Sequence, residues 1–252
     1  NMMGSSGATA VSAAAAAVNA GLAENVLVVV SSPDPNPSAA AGAGGYGEQA
    51  QYGVAYGPGP GANYEYALIA NRYTHEYGLS DEDRVSIAVQ QRFNAQGNPN
   101  AWFHGTEISS DDVINSRMVA DPLRLLECVM PCFGSAALMV SRPEAAQSSP
   151  HPPVYVLGVG QSSDRGVPGI AYVPRMTTSP VEVSARRAFS MAGLGPNDMD
   201  MASLYDCYTI TVIIELEDAG FAPKGEGGAW VADNDVTYKG NFPINTHGGQ
   251  LS

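Results

Sequence analysis

The sequence predicts an α/β protein built from layers of helices and strands. Residues 12–20 are mostly alanine, and strong helix formers at this density predict a helix that packs closely on most sides. Residues 25–30 follow as a continuous apolar run, which is typical of a strand buried on both faces. A second apolar run at 154–159 precedes another helix signal, so helices and strands alternate along the chain.

The remaining elements follow from caps, breakers and apolar periodicity. Gly21, Gly78 and Gly193 predict helix ends, and the carboxylates at 81–83 suit the positive end of a helix dipole. In chain order the predictions are helices over 64–77 and from Ser80, a short helix capped by Ser109 or Ser110, strands over 117–124 and 135–140, a helix from Ser179 to Met191, a strand over 199–204 and a helix over 210–219.

Residues 31–63 differ from the rest, because prolines and glycines are frequent and bulky apolar residues are sparse. This composition predicts a long loop. Its tyrosines at 46, 52 and 56 are candidates to line a cleft, although loop packing or a protein interface explains them nearly as well.

A polar, proline-rich segment at 148–153 predicts the boundary between two halves of the chain. The first half then spans 1–150, with a loop region over about 31–118, and the second half spans 151–252.

Composition excludes several classes of protein. A formal net charge of −13 argues against nucleic-acid binding, which needs clustered Lys and Arg. The 44% hydrophobic and 15% charged residues describe a globular chain, and no apolar run is long enough to span a bilayer. Three cysteines fit a reducing cytoplasm better than a disulfide scaffold. The alanine-rich start lacks the basic leader of a secretion signal, and we expect an internal piece of a longer protein because both ends look cut.

Three polar, glycine-rich segments lie close together in the last third of the chain, at 202–209, 220–228 and 243–249. With the run at 115–124, the Glu127–Cys128 pair and the segment at 134–137, they resemble the thiolase superfamily, in its lipid-transfer-protein (sterol-carrier thiolase-like) branch. The resemblance covers almost the whole chain. It implies a thiolase fold, with two similar halves in a five-layer αβαβα arrangement and a loop region inserted in the first half.

The resemblance also points to two altered catalytic positions. Thiolases carry a nucleophilic Cys just before a stretch like residues 5–10, and here that position is Gly4. Without sulfur there, no acyl-enzyme is expected at this position. Asp206, Cys207 and Tyr208 fit the family's His-Asp-Cys-Phe motif, but Tyr205 replaces the His.

A missing Cys together with a Tyr at the His position resembles the steroid side-chain aldolases of actinobacterial sterol degradation. The resemblance implies retro-aldol cleavage of a β-hydroxyacyl-CoA, a homodimer, and a small zinc-containing partner with an OB fold. CoA would be part of the substrate, no cofactor is expected in this chain, and zinc is expected only in the partner. A retro-aldol step needs a base and hydrogen-bond donors for the departing enolate, and no nucleophile.

Candidate site residues follow from these motifs. We predict Tyr205 as an acid/base or oxyanion group and His247 as a second catalytic residue, helped by a group beyond Ser252. The candidate substrate-binding residues are Gly4, Ser5, Asn245, Gly248 and Gly249. No spacing of Cys and His predicts a metal site in this chain.

Each candidate also has a plain structural interpretation. Tyr205 as a core tyrosine, His247 as a turn residue and Ser5 as a helix cap remain open. For Asp206 a cap of the following helix is preferred, with the orientation of a neighbouring catalytic group as the alternative, and the cysteines are expected to pack as small apolar groups. For the whole protein the alternatives are an acyltransferase with its nucleophile elsewhere, or a non-catalytic acyl-CoA or lipid-binding protein.

Overall fold

The structure, a computed structural model, describes residues 3–32, 62–130, 134–163 and 173–252. The helices are α1 (Ser6–Asn19), α2 (Ala62–Tyr77), α3 (Asp81–Gln96), α4 (Ser110–Asn115), α5 (Pro143–Ala146), α6 (Val181–Ala192), α7 (Thr209–Asp218) and α8 (Gly227–Asp233). The strands are β1 (Asn25–Ser32), β2 (Met118–Ala120), β3 (Leu123–Arg124) and β4 (Gly134–Ser141). The predicted cleft tyrosines at 46, 52 and 56 lie outside the described residues.

Side-chain caps determine where two of the predicted helices begin. The Ser80 hydroxyl accepts the backbone N–H of Asp83 at 3.0 Å at the start of α3. Ser109 and Asp112 form a reciprocal capping box at the start of α4, which settles the choice between Ser109 and Ser110. Both caps satisfy N–H groups that have no partner inside the helix.

The core surrounds α7, in which nine of ten residues are buried. Apolar residues of α2, α3 and α8 pack around it in one cluster. The buried polar residues of α7 are joined to other elements. Thr209 donates to Glu127 at 3.0 Å, and Glu127 also pairs with the buried Arg84 of α3. A buried ion pair needs such extra hydrogen bonds to offset the cost of removing both charges from water.

The carboxylates at the end of α7 hold the glycine-rich turn at 220–228. Glu217 accepts the backbone N–H groups of Gly225 and Gly227, and the Tyr73 hydroxyl donates to the same carboxylate. Lys224 pairs with both Glu217 and Asp218. This turn is therefore anchored to the core helix.

The first strand is less buried than predicted. β1 pairs antiparallel with β4, with Leu27 opposite Met139 and Val28 opposite Leu138. The helix α1 packs against this pair of strands, and Val28 is 6% exposed, but Leu27 and Val29 on the other face are 60% and 59% exposed. We predicted that β1 would be buried on both faces and that β4 would be a buried strand. Both predictions are wrong for the described residues, because α1 covers only one face of this pair of strands.

Two predicted strands are not formed. Residues 154–159 have no regular secondary structure, and Val154 is 95% exposed. This segment lies against α6, where a Cβ atom on Gly158 would come within 2.2 Å of the Ala188 carbonyl oxygen. Residues 199–204 form only one bridge, between Ala202 and Ile244. Apolar composition alone does not supply the hydrogen-bonded neighbour that a strand requires.

Nothing in the structure tests the boundary at 148–153. Within the described ranges, no helix has the length and hydropathy needed to cross a membrane.

Candidate active site

The ring of Tyr205 lies directly over the backbone of Gly4. A Cβ atom on residue 4 would lie 2.6 Å from Cζ and 2.7 Å from Cε2 of Tyr205, closer than real side chains approach. Residue 4 belongs to the 3₁₀ turn Met3–Ser5 that leads into α1. Any side chain at residue 4, a cysteine included, would therefore require the phenol to move.

The Tyr205 hydroxyl belongs to a polar cluster that sequence reasoning missed. Cys207 lies near the phenols of Tyr205 and Tyr66, both of which lower its pKa, and its Sγ lies 3.5 Å from the Thr211 hydroxyl. Cys207 is buried in the hydrophobic core, as predicted for a small apolar group, and these hydroxyls lie beside it. Tyr66 comes from α2, so this cluster joins α2 to the segment before α7.

A carboxylate completes the cluster. Glu215 of α7 reaches back and accepts the backbone N–H of Tyr205 at Oε2, 2.9 Å away. The pKa of Glu215 is raised to about 7, chiefly by burial and further by the carboxylates of Asp206 and Asp218, while the Tyr205 N–H acts in the opposite direction. Glu215 can therefore change its charge near neutral pH.

The other members of the cluster keep their protons at neutral pH. Burial raises the pKa of Tyr205 and of Tyr66 above the usual phenol range. Burial also raises the pKa of Cys207 to about 11, although hydrogen bonds from Thr211 and the two phenols oppose the change. Neutral phenols donate hydrogen bonds, and a thiol with so high a pKa is a poor nucleophile at neutral pH.

A second tyrosine pair borders the cluster. Tyr66 stacks on Tyr208, with ring centroids 4.3 Å apart, and the Tyr208 hydroxyl donates to Asn63 at 2.6 Å. The stack holds the Tyr66 ring against the segment that carries Tyr205.

Asp206 does not cap the following helix, so that prediction is wrong. The helix begins after Tyr208 without a side-chain cap. The buried Asp206 carboxylate instead accepts the backbone N–H groups of Gln250 (2.8 Å) and Leu251 (3.3 Å). Gly249 makes this approach possible, since a Cβ atom there would lie on the carboxylate, and its φ of 68° suits glycine.

The predicted binding residues of the turn have clear structural contacts. The Asn245 side chain is buried and bonds both backbone groups of Leu204, at 2.8 and 3.0 Å. Gly248 packs on α3, where a Cβ atom would meet Ala95 at 2.9 Å. Asn245 thus ties the turn to the segment before Tyr205, and its side chain is already occupied.

Ser5 and His247 are both exposed. Ser5 occupies the N-cap position of α1 without a side-chain cap bond. His247 lies in the turn held by Asp206, and its backbone carbonyl accepts from Asn98 at 3.1 Å. Among the described residues no hydrogen bond or ion pair joins His247 to Tyr205. The structure therefore brings Gly4 and Tyr205 into contact, and it links the turn at 245–251 to them only through Asp206 and Asn245.

Sequence reasoning missed Tyr66 and Glu215. Tyr66 gives no signal, because it is one of several tyrosines on α2. Glu215 does give one: Glu215, Glu217 and Asp218 end an otherwise apolar helix, where carboxylates oppose the helix dipole unless they have partners.

Two surface clefts lie away from this cluster. One, of about 540 Å³, is lined largely by acidic and polar residues of α3 and α8. The other, of about 530 Å³, lies beside α2 and residues 173–178. Neither is lined by Tyr205. No group of three or more His, Cys, Asp or Glu side chains with metal-binding geometry occurs in the described ranges.

Comparisons with known proteins agree with the motifs. Residues 164–252 match the family described as thiolase C-terminal domain-like. The chain is 39% identical to a steroid side-chain-cleaving aldolase of Thermomonospora curvata, over 73% of this chain and 48% of that protein. It is 37% identical to the 17-hydroxy-3-oxo-4-pregnene-20-carboxyl-CoA lyase of Mycobacterium tuberculosis, over 74% and 49%. It is also 37% identical to an acetyl-CoA acetyltransferase of Methanothermobacter thermautotrophicus, over 73% and 48%.

The chain thus spans about half the length of the relatives it matches. Among solved structures, the Ltp2-ChsH2(DUF35) aldolase superposes with a TM-score of 0.84 at 33% identity, covering 98% of this chain and 65% of that one. This similarity confirms the predicted α/β fold of thiolase type. The chain is similar to steroid side-chain-cleaving aldolases, and it therefore belongs to the thiolase superfamily, in its lipid-transfer, SCP2-thiolase-like branch.

Proposed function

We propose that this chain is part of a lyase that cleaves a β-hydroxyacyl-CoA by a retro-aldol reaction, releasing a ketone and a shorter acyl-CoA. The observation that carries the proposal is the phenol of Tyr205 above Gly4, in the place where thiolases are expected to hold a cysteine. The names of two similar proteins, an aldolase and a steroid carboxyl-CoA lyase, support a steroid side-chain thioester as the substrate.

The reaction suits the protonation of the cluster. A base removes the proton of the β-hydroxyl group, the bond between the α and β carbons breaks, and its electron pair moves into the thioester as an enolate. The enolate then gains a proton at the α carbon. A neutral phenol at Tyr205 stabilises the negative oxygen by donating a hydrogen bond, and its raised pKa favours this role over that of a base.

His247 is the proposed second catalytic group, because it is exposed in the turn that Asp206 holds. Gly4, Ser5, Gly248 and Gly249 are proposed to offer backbone groups to the thioester. Asn245 is proposed to act by holding Leu204 with its side chain rather than by contacting the substrate directly.

An acyltransferase is the second candidate, and the 37% identity to an acetyl-CoA acetyltransferase favours it. It would need a reactive thiol. Cys207 is the cysteine beside Tyr205, but burial raises its pKa to about 11, which makes it a weak nucleophile at neutral pH. The geometry therefore supports the lyase better. A non-catalytic acyl-CoA binder is the remaining alternative.

Replacement of Tyr205 by phenylalanine tests the lyase. In the full-length protein, with any partner it requires, Tyr205→Phe should lower kcat for a β-hydroxyacyl-CoA by roughly 100- to 1000-fold, the usual loss when one donor to an oxyanion is removed. Release of the shorter acyl-CoA, followed by chromatography, measures it. Unchanged turnover would remove Tyr205 from the mechanism.

Mass spectrometry of the intact protein after incubation with acyl-CoA separates the alternatives. The lyase forms no covalent adduct, so an acylated cysteine would contradict it and support the acyltransferase. Tight binding of acyl-CoA by the full-length protein without any turnover would support the binder.

We further propose that the full-length protein is a cytoplasmic homodimer and binds a small zinc-containing OB-fold protein. The similar Ltp2-ChsH2(DUF35) aldolase, whose name joins two components, supports a second subunit. Within this proposal the chain needs no cofactor of its own, and the zinc belongs to the partner.

A further inference from the structure

The carboxylate of Glu215 has no role in the reaction proposed above, yet it makes direct contact with the segment that carries Tyr205. Its Oε2 atom accepts the Tyr205 backbone N–H at 2.9 Å. Glu215 belongs to the second half of α7, where the helix dipole disfavours negative charge, and its side chain extends back toward residues that precede the helix. This arrangement calls for an explanation in terms of Tyr205.

We propose that Glu215 is a positioning residue for Tyr205: it holds the Tyr205 backbone over Gly4, and its gain or loss of a proton changes the charge that faces the phenol–thiol cluster. This inference rests on the proposed function for its effect on turnover. The contact and the change of charge do not depend on that function.

The charges around Glu215 come from three parts of the chain. Asp206 lies in the segment before α7, and Asp218 lies on α7 itself; both oppose a negative Glu215. A negative Glu215 raises the pKa of three neutral groups: Tyr205, Cys207 and, from α2, Tyr66. None of the ion pairs in the part of the chain that the structure describes involves Glu215.

The sign of the effect follows from the reaction. Negative charge on Glu215 opposes the negative charge that develops on the thioester oxygen beside Tyr205. The wild-type protein should therefore lose activity, relative to a variant without this charge, as the pH rises through about 7.

Glu215→Gln in the full-length protein is the test, because glutamine keeps an oxygen for the Tyr205 N–H and cannot ionise. The ratio of kcat/KM in the variant to that in the wild type should be close to one near pH 5.5. It should rise roughly three- to tenfold by pH 8.5, the size expected for one charge acting over a short distance in a protein. A purely structural role predicts a constant ratio and would overturn the proposal, as would a loss of activity at every pH.

A second measurement works without any substrate. With ¹³Cζ-labelled tyrosine, the Tyr205 resonance, assigned with Tyr205→Phe, should shift with a midpoint near pH 7 in the wild type and in Glu144→Gln, which removes an exposed carboxyl on α5. The shift should be absent in Glu215→Gln. A shift that persists there would belong to another group, such as His247 acting through Asp206, and would overturn the assignment.

The two measurements fail in different ways. If no β-hydroxyacyl-CoA is turned over, the proposed lyase is wrong, and the tyrosine titration still decides whether Glu215 sets the charge at Tyr205. If turnover is normal and the titration is unaffected by Glu215→Gln, the lyase stands and the role of Glu215 is wrong.

Discussion

Position 4 carries the smallest side chain available, and Tyr205 uses the space that this leaves. A Cβ atom on residue 4 would lie 2.6 Å from Cζ of the Tyr205 ring, which is too close for the two to coexist. A side chain at residue 4 and the phenol of Tyr205 in its present place exclude each other, because both would occupy the same volume.

Gly4→Ala should therefore harm the site more than the fold. The new methyl group must displace the Tyr205 ring, and we expect kcat/KM to fall roughly 10- to 100-fold, as for other small displacements of catalytic groups. Gly7→Ala is the matched control, since its Cβ atom would meet only Val30 at 3.8 Å. It should keep full activity and raise stability by about 0.5 kcal/mol. Equal activity in the two variants would argue against the contact.

Glu215 also has a consequence for stability. Its pKa in the folded protein is raised from 4.5 to about 7, so the folded state holds a proton that the unfolded state releases between these pH values. The proton on Glu215 stabilises the folded state fully below about pH 4.5, and this stabilisation is lost as the pH rises through about 7. Glu215→Gln removes this dependence.

The free energy of unfolding of Glu215→Gln, relative to the wild type, should rise by about 3 kcal/mol between pH 4 and pH 8. Urea unfolding of the full-length protein at several pH values measures it, with Glu144→Gln as the control for loss of a carboxyl group. A difference that does not change with pH would show that Glu215 titrates normally.

At the scale of elements, α7 organises the site from both of its ends. Before its first turn stand Tyr205, Asp206 and Cys207, and near its last turn Glu217 and Asp218 hold the turn at 220–228. Because α7 is almost wholly buried, these attachments place polar groups on a rigid support.

The attachment of the turn at 249–251 depends on Asp206. Asp206→Ala leaves the Gln250 and Leu251 N–H groups without their acceptor, and it should cost about 1–3 kcal/mol. Hydrogen exchange at these two amides should become faster by an order of magnitude or more. Asp198→Ala, which removes an exposed acceptor for Gly195, is the control and should leave both amides unchanged. Unaltered exchange in Asp206→Ala would mean that other contacts hold the turn.

At the scale of the whole molecule, apolar side chains remain exposed on the face of the β1–β4 pair that α1 does not cover. The chain spans about half the length of its relatives, and the proposed homodimer concerns the longer protein.

Light scattering after size-exclusion chromatography tests that assembly. The full-length protein should have the mass of two copies at micromolar concentration, and addition of the partner should increase the mass further. A mass of one copy over the whole concentration range would contradict the homodimer.

Local signals in the sequence predicted the parts that depend on neighbouring residues. Ser80, Ser109 and Gly193 mark helix ends in the structure as they do in the sequence. Motifs led to the superfamily, and the substitution at Gly4 was visible without coordinates. These features involve residues within a few positions of one another, whose preferences act before any tertiary contact forms.

Only the tertiary structure decided which residues meet. The Tyr205 ring over Gly4, the stack of Tyr66 on Tyr208, and the Glu215 hydrogen bond to the Tyr205 N–H join residues that are distant in sequence or out of helical register. Residues 154–159 also depend on tertiary contacts. They are apolar but form no strand, because an apolar run becomes a strand only beside a hydrogen-bonding neighbour. Periodicity and propensity do not encode such pairings, because burial and contact arise from how the whole chain packs.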